Sequence, residues 1–160
     1  MNKRTQVGYG LIESMVSIFV VSIGFLGFAG LEAKGLTAAN DSLLRSKAIY
    51  LSYQMADRVR ANLPAVQAGS YNSLTGAASN PGCISTSCTA VQVAQNDFYE
   101  WTSEVGSALP SGAGVICLDS TPDDGTPGAA QCDAQGNVFT IKLWWSEKGT
   151  QHRFVTTFRP

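Results

Sequence analysis

The feature that most limits what this chain can fold into is an uncharged run from Ser14 to Leu31 with a carboxylate, Glu13, at its head. About 20 apolar residues of helix cross a bilayer, and residues 11–31 supply that length. In lipid the backbone must hydrogen-bond within its own segment, so such a run is a helix despite Gly24, Gly27 and Gly30. Those glycines, with Gly35, read either as ordinary membrane-helix content or as places where neighbouring helices approach closely. Lys3 and Arg4 precede the run; Glu32 and Lys34 follow it. A secretory signal is cut at small residues after its apolar region. Nothing after this run reads that way, and the small residue beside the basic leader, Gly8, lies before it. A cut there would remove residues 1–8 and leave the apolar helix at the head of the mature chain.

The helical pattern continues past the apolar run. From Thr37 to Asn62 there is no glycine or proline, and Leu44, Ala48, Leu51, Met55 and Val59 recur at helical spacing. One helix from about Ile12 to Asn62 would be about 75 Å long at about 1.5 Å per residue. Its first half is apolar nearly all round; its second half is amphipathic and needs a domain to cover the stripe. Pro64 ends the pattern. Residues 65–95 read as a loop with at most a short strand. Asp97 and Glu100 have the spacing of a capping box, which predicts a short helix to about Leu109 with Phe98, Trp101 and Val105 inward. Gly114–Leu118, Val138–Trp145 and Arg153–Phe158 read as strands, the last two joined by a turn at 146–150. In the central strand Phe139, Ile141, Leu143 and Trp145 share one face, while Val138, Thr140, Lys142 and Trp144 share the other. The expected fold class is α+β: a long helix, its apolar half protruding, packed on a small antiparallel sheet.

The 160 residues suit one modest domain plus one membrane segment. Formal net charge is −1; without Lys3 and Arg4 the chain carries 9 Lys+Arg against 12 Asp+Glu, a net −3. That balance argues against general nucleic-acid binding. The positive-inside rule puts the part after the helix outside the cytoplasm. All four cysteines, Cys83, Cys88, Cys117 and Cys132, lie in that part. An even count in an oxidising compartment reads as disulfides, and three connectivities are open. The sequential one, Cys83–Cys88 with Cys117–Cys132, is favoured because each pair flanks a turn-rich loop. The spacing fits zinc knuckles poorly.

At this point the residues resemble a known family. Gly8 followed by Tyr9-Gly10-Leu11-Ile12-Glu13 is similar to the prepilin signal of type IV pilins and type II secretion pseudopilins, whose usual pattern is glycine, phenylalanine, threonine, leucine, isoleucine, glutamate. Tyr9 and Gly10 depart from it. The run Ser22–Glu32 and the helix end Ala56–Asn62 resemble PilV-type minor pilins. The resemblance spans residues 3–63 and implies three parts: a leader at 1–8, a transmembrane and filament-core helix half at 9–36, and a periplasmic pilin domain at 37–160. It implies that a prepilin peptidase cuts between Gly8 and Tyr9 and that the new amine of Tyr9 is N-methylated. It implies that the subunit waits in the bacterial inner membrane before entering an extracellular pilus. The partners it implies are other minor pilins, the major pilin, the inner-membrane assembly platform and a tip adhesin. The role implied is a minor pilin that helps start assembly and joins the tip complex.

Two residues carry the chemistry. Glycine at position 8 lets the backbone lie extended in a narrow peptidase cleft. Glu13 is costly inside a dry filament core unless a cation meets it, and the resemblance implies that the cation is the amino terminus of a neighbouring subunit. Elsewhere His152 stands alone, and Asp119, Asp123 and Asp124 read as a solvated turn. Of Trp144 and Trp145, one is expected in the core and the other at a partner. Neither metal nor cofactor is expected, and no catalytic set of residues is visible. Three other readings compete: a minor pseudopilin of a type II secretion system, a DNA-uptake pilin, and a single-pass membrane enzyme. The second needs a basic stripe on the domain and the third needs a clustered acid, base or nucleophile.

Overall fold

The computed structural model describes residues 9–72, 74 and 79–160. Helix α1 runs Tyr9–Ala61, followed by α2 (Leu63–Gln67), α3 (Ala90–Ala108) and strands β1 (Ala113–Leu118), β2 (Phe139–Glu147) and β3 (Thr150–Phe158). The chain divides into two compact units after Ser42, within α1.

In the first unit the helix has an 18-residue window of mean hydropathy 2.1, none of it buried, so by length and composition α1 could cross a membrane. Ser14 and Ser22 donate their hydroxyls to the carbonyls of Gly10 and Ile18, both at 2.7 Å, and Thr37 does the same to Ala33 at 3.0 Å. These back-bonds satisfy the hydroxyls locally, which keeps the helix surface compatible with lipid.

The second unit is a three-stranded antiparallel sheet in the order β1-β2-β3 with helices on one face. All five residues of the expected stripe, Leu44, Ala48, Leu51, Met55 and Val59, are buried, and they share a core with Phe98, Trp101 and Val105 of α3 and Phe139, Ile141, Leu143 and Trp145 of β2. Thus the period-3.6 stripe of one element meets the period-2 face of another. Lys148 and Gly149, at φ of 50° and 80°, make the two-residue β2–β3 turn, a geometry whose twist matches that of the strands it joins.

The structure corrects three expectations. Helix α3 begins at Ala90, not near Asp97: Thr89 is the N-cap, its hydroxyl accepting from the Gln92 N–H while the Gln92 side chain accepts from the Thr89 N–H. Asp97 therefore sits mid-helix, where Tyr71 and Arg58 occupy it. Pro64 stops α1 but also lies in the first turn of α2, where its missing N–H costs nothing. Finally, both faces of β2 are covered. Thr140, Lys142 and Trp144 are as buried as the residues between them, so neither tryptophan is left over for a partner.

Candidate functional site

Along the first unit, Glu13 is exposed on α1 among exposed apolar side chains that include Leu11, Ile12, Met15 and Val16. Tyr9 opens α1. Gly8, the other half of the expected cleavage bond, lies outside the described residues. The carboxylate of Glu13 thus stands on a helix surface suited to lipid or to other helices, the setting in which an opposite charge counts most.

Within the second unit, the end of α1 is tied to α3 by a polar network. Arg58 reaches Glu100 at 2.7 Å and Asp97 at 3.4 Å. The Tyr71 hydroxyl donates to the other Asp97 oxygen at 2.6 Å, and Asn62 donates to Tyr71 and to the Ala90 carbonyl. Burial, reinforced by the hydrogen bond to Asp97, raises the Tyr71 pKa, so the phenol stays a donor. Trp101 completes the joint: its indole N–H donates to the Leu51 carbonyl at 2.8 Å, fixing α3 against α1.

On the other face of the sheet lies a site that the sequence alone did not reveal. Lys142 is fully buried, and its ammonium meets Asp119 Oδ2 at 2.6 Å and Asp124 Oδ1 at 2.7 Å. Asp119 and Lys142 thus form a buried ion pair. The carbonyls of Ala130 and Asp124 accept from the same nitrogen at 2.9 and 3.2 Å. The Asp119 side chain is fully buried, which corrects its reading as a solvated turn residue. The disulfide Cys117–Cys132 brackets these acceptors, and Cys83–Cys88 closes a smaller ring that presents Ile84 to solvent. Asp133 accepts from the Ser120 hydroxyl and from the Ser120 and Gln135 N–H groups, while Arg153 donates to the Asp123 carbonyl at 2.8 Å. Cys117, Asp119 and Cys132 lie within reach of a common point, but both sulfurs are committed to the disulfide and the carboxylate to Lys142. His152 stacks on Trp145 with ring centroids 5.5 Å apart.

These contacts give the domain a definite response to acid. The Arg58 hydrogen bond holds Glu100 below its ordinary pKa. Lys142 does the same for Asp124, and the Ser120 hydroxyl for Asp133. A carboxylate whose folded pKa is depressed stabilises the fold above its unfolded pKa of about 4 and loses that contribution as pH falls through the folded value. Thermal midpoints of the detergent-solubilised chain should therefore fall steadily below about pH 4. A midpoint that does not move down to about pH 2 would contradict the coupling.

A long amino-terminal helix whose second half packs on a small antiparallel sheet is a pilin-like α+β arrangement. Residues 30–99 match the family model Tt1218-like, described as type IV pilin Tt1218. The matched stretch, 70 of the 160 residues, is similar to a type IV pilin family, and it begins within the helix that by length and composition could cross a membrane. No curated protein and no solved structure matches the chain.

Proposed function

We propose that this chain is a PilV-type minor pilin of a type IV pilus, a building block that helps initiate assembly and forms part of the tip complex. The observation that carries the reading is one helix with two characters: an uncovered apolar half bearing Glu13, then a stripe from Leu44 to Val59 buried in a sheet domain. A membrane-held subunit needs the first half before assembly, and a filament core needs it afterwards. In this reading residues 1–8 are removed, Tyr9 becomes the N-methylated terminus, and the domain after the helix lies in the periplasm until export. The prepilin peptidase, other minor pilins, the major pilin, the assembly platform and a tip adhesin are its partners.

Amino-terminal sequencing of protein recovered from sheared surface filaments tests the whole reading. N-methyl-tyrosine corresponding to Tyr9 is expected; an intact Met1 would defeat it. Two substitutions separate its parts. Gly8→Val should block processing, so the full-length precursor accumulates on an immunoblot, because the added side chain would clash with the walls of a narrow peptidase cleft. Glu13→Ala should be cleaved and accumulate normally yet enter filaments at least about tenfold less, the loss of one buried charge pair. Incorporation at the unsubstituted level would show that Glu13 pairs with nothing in the polymer.

A further inference from the structure

The acceptors around Lys142 come from one short stretch of chain. Asp119, Asp124 and Ala130 all lie between Cys117 and Cys132, and the side chains of Lys142 and Asp119 are entirely shielded from solvent. The register places Val115 and Val155 beside Lys142, and Cys117 beside Thr140. Val115, Cys117, Thr140, Lys142 and Trp144 thus form a second buried face, separate from the helix-side core. The 119–133 loop lies over this face. Besides the contacts to Lys142, the Ala134 N–H donates to the Leu118 carbonyl, and the Asp123 carbonyl accepts from Arg153. An ammonium is tolerated in such a place only while its acceptors stay put, because an unpaired buried charge is strongly disfavoured.

We propose that the Cys117–Cys132 disulfide and Lys142 form an oxidation-dependent latch that closes the outer face of the sheet. With the disulfide formed, the loop is short and holds its carboxylates and carbonyls at the ammonium. With the two thiols restored, the loop gains conformational freedom, its acceptors disperse, and the ammonium moves out to water, uncovering Thr140 and Trp144. Closing the latch removes one proton from each thiol and passes two electrons to a disulfide-bearing oxidant, by way of a mixed disulfide; that oxidant leaves as two thiols. A dithiol reductant reverses the step. A subunit with the reduced pair would thus present an open face, so oxidation and completion of the domain are one event.

The test is amine footprinting of the full chain in detergent micelles with an N-hydroxysuccinimide acetate reagent, read by peptide mass spectrometry. In the oxidised protein Lys142 should react at least about tenfold more slowly than exposed Lys148. In a Cys117→Ser/Cys132→Ser variant the two rates should converge, whereas Cys83→Ser/Cys88→Ser should leave Lys142 protected. Protection of Lys142 that persists without the Cys117–Cys132 bond overturns the proposal. Should the first variant fail to fold, a second measurement decides. On a Lys142→Met/Asp119→Asn background, which has no buried charges to hold, loss of the Cys117–Cys132 bond should shift the unfolding equilibrium at least about tenfold less than it does in the charged protein. Equal shifts would show that the disulfide and the ion cluster act independently, and would overturn the latch.

Discussion

Lys142→Ala is expected to destabilise the sheet domain by about 3–5 kcal/mol, the cost of stripping one partner from a buried ion pair. Two effects combine. Asp119, fully buried, loses its counter-charge and is left an unpaired polar group in a dry site. The lysine stem also leaves a void between β2 and the loop, and its neighbours Val115 and Val155 can fill it only in part. Urea unfolding of the full chain in detergent, followed by tryptophan fluorescence, reads this directly. With a slope of about 1–3 kcal/mol/M, the midpoint should drop by more than about 1 M. A drop smaller than about 0.3 M would mean that water already reaches the ammonium. The intact cluster need not be a large net stabiliser, since an apolar replacement of the whole set can match it; the penalty is for leaving half of it behind.

Trp101→Ala should have a similar effect, about 3–5 kcal/mol, through a different mechanism. The indole is fully buried at the centre of the core, and α3, α1 and β1 all depend on it. It donates to the Leu51 carbonyl at 2.8 Å. Its six-membered ring lies over Gly114, where an added Cβ would come within 2.4 Å of Trp101 Cη2. The absent side chain at 114 is therefore what lets β1 run beneath the ring. Trp101→Phe separates the two contributions. It keeps most of the volume and loses the N–H donor, so it should cost nearer to about 1 kcal/mol. If the two substitutions proved equally damaging, the hydrogen bond would matter more to the fold than the packing of the ring.

Where periodicity alone decides, the architecture could be read in advance. The stripe from Leu44 to Val59 and the inward set Phe98, Trp101 and Val105 follow helical spacing, and the structure buries all of them. The three strands fall where alternation and turn residues put them. The start of α3 escapes such a reading because two capping patterns compete within twelve residues. Thr89-x-x-Gln92 lies in an Ala/Ser-rich stretch that resembles loop, whereas Asp97-x-x-Glu100 sits beside aromatics; yet the second pair is used by Arg58, from a distant turn of α1. The Lys142 cluster is hidden for a related reason. Strict alternation on β2 marks Thr140 and Lys142 as solvent-facing, and only a loop folding back across the sheet makes that face interior. Asp119 and Lys142 are far apart in sequence, and local pattern carries no information about such a pair.

The outer face of this sheet is roofed by a strap of irregular chain instead of a further layer of helix or strand. A regular layer adheres through many interlocking side chains, so altering any of them disturbs the whole. The strap is held by a sulfur bridge at its ends, one cation beneath its middle, and separate hydrogen bonds such as those from Ala134 to Leu118 and from Arg153 to Asp123. Its crown, around Thr126–Gly128, is exposed and free to change composition without recutting the interior, which lets a domain of fixed internal architecture present a variable outward surface.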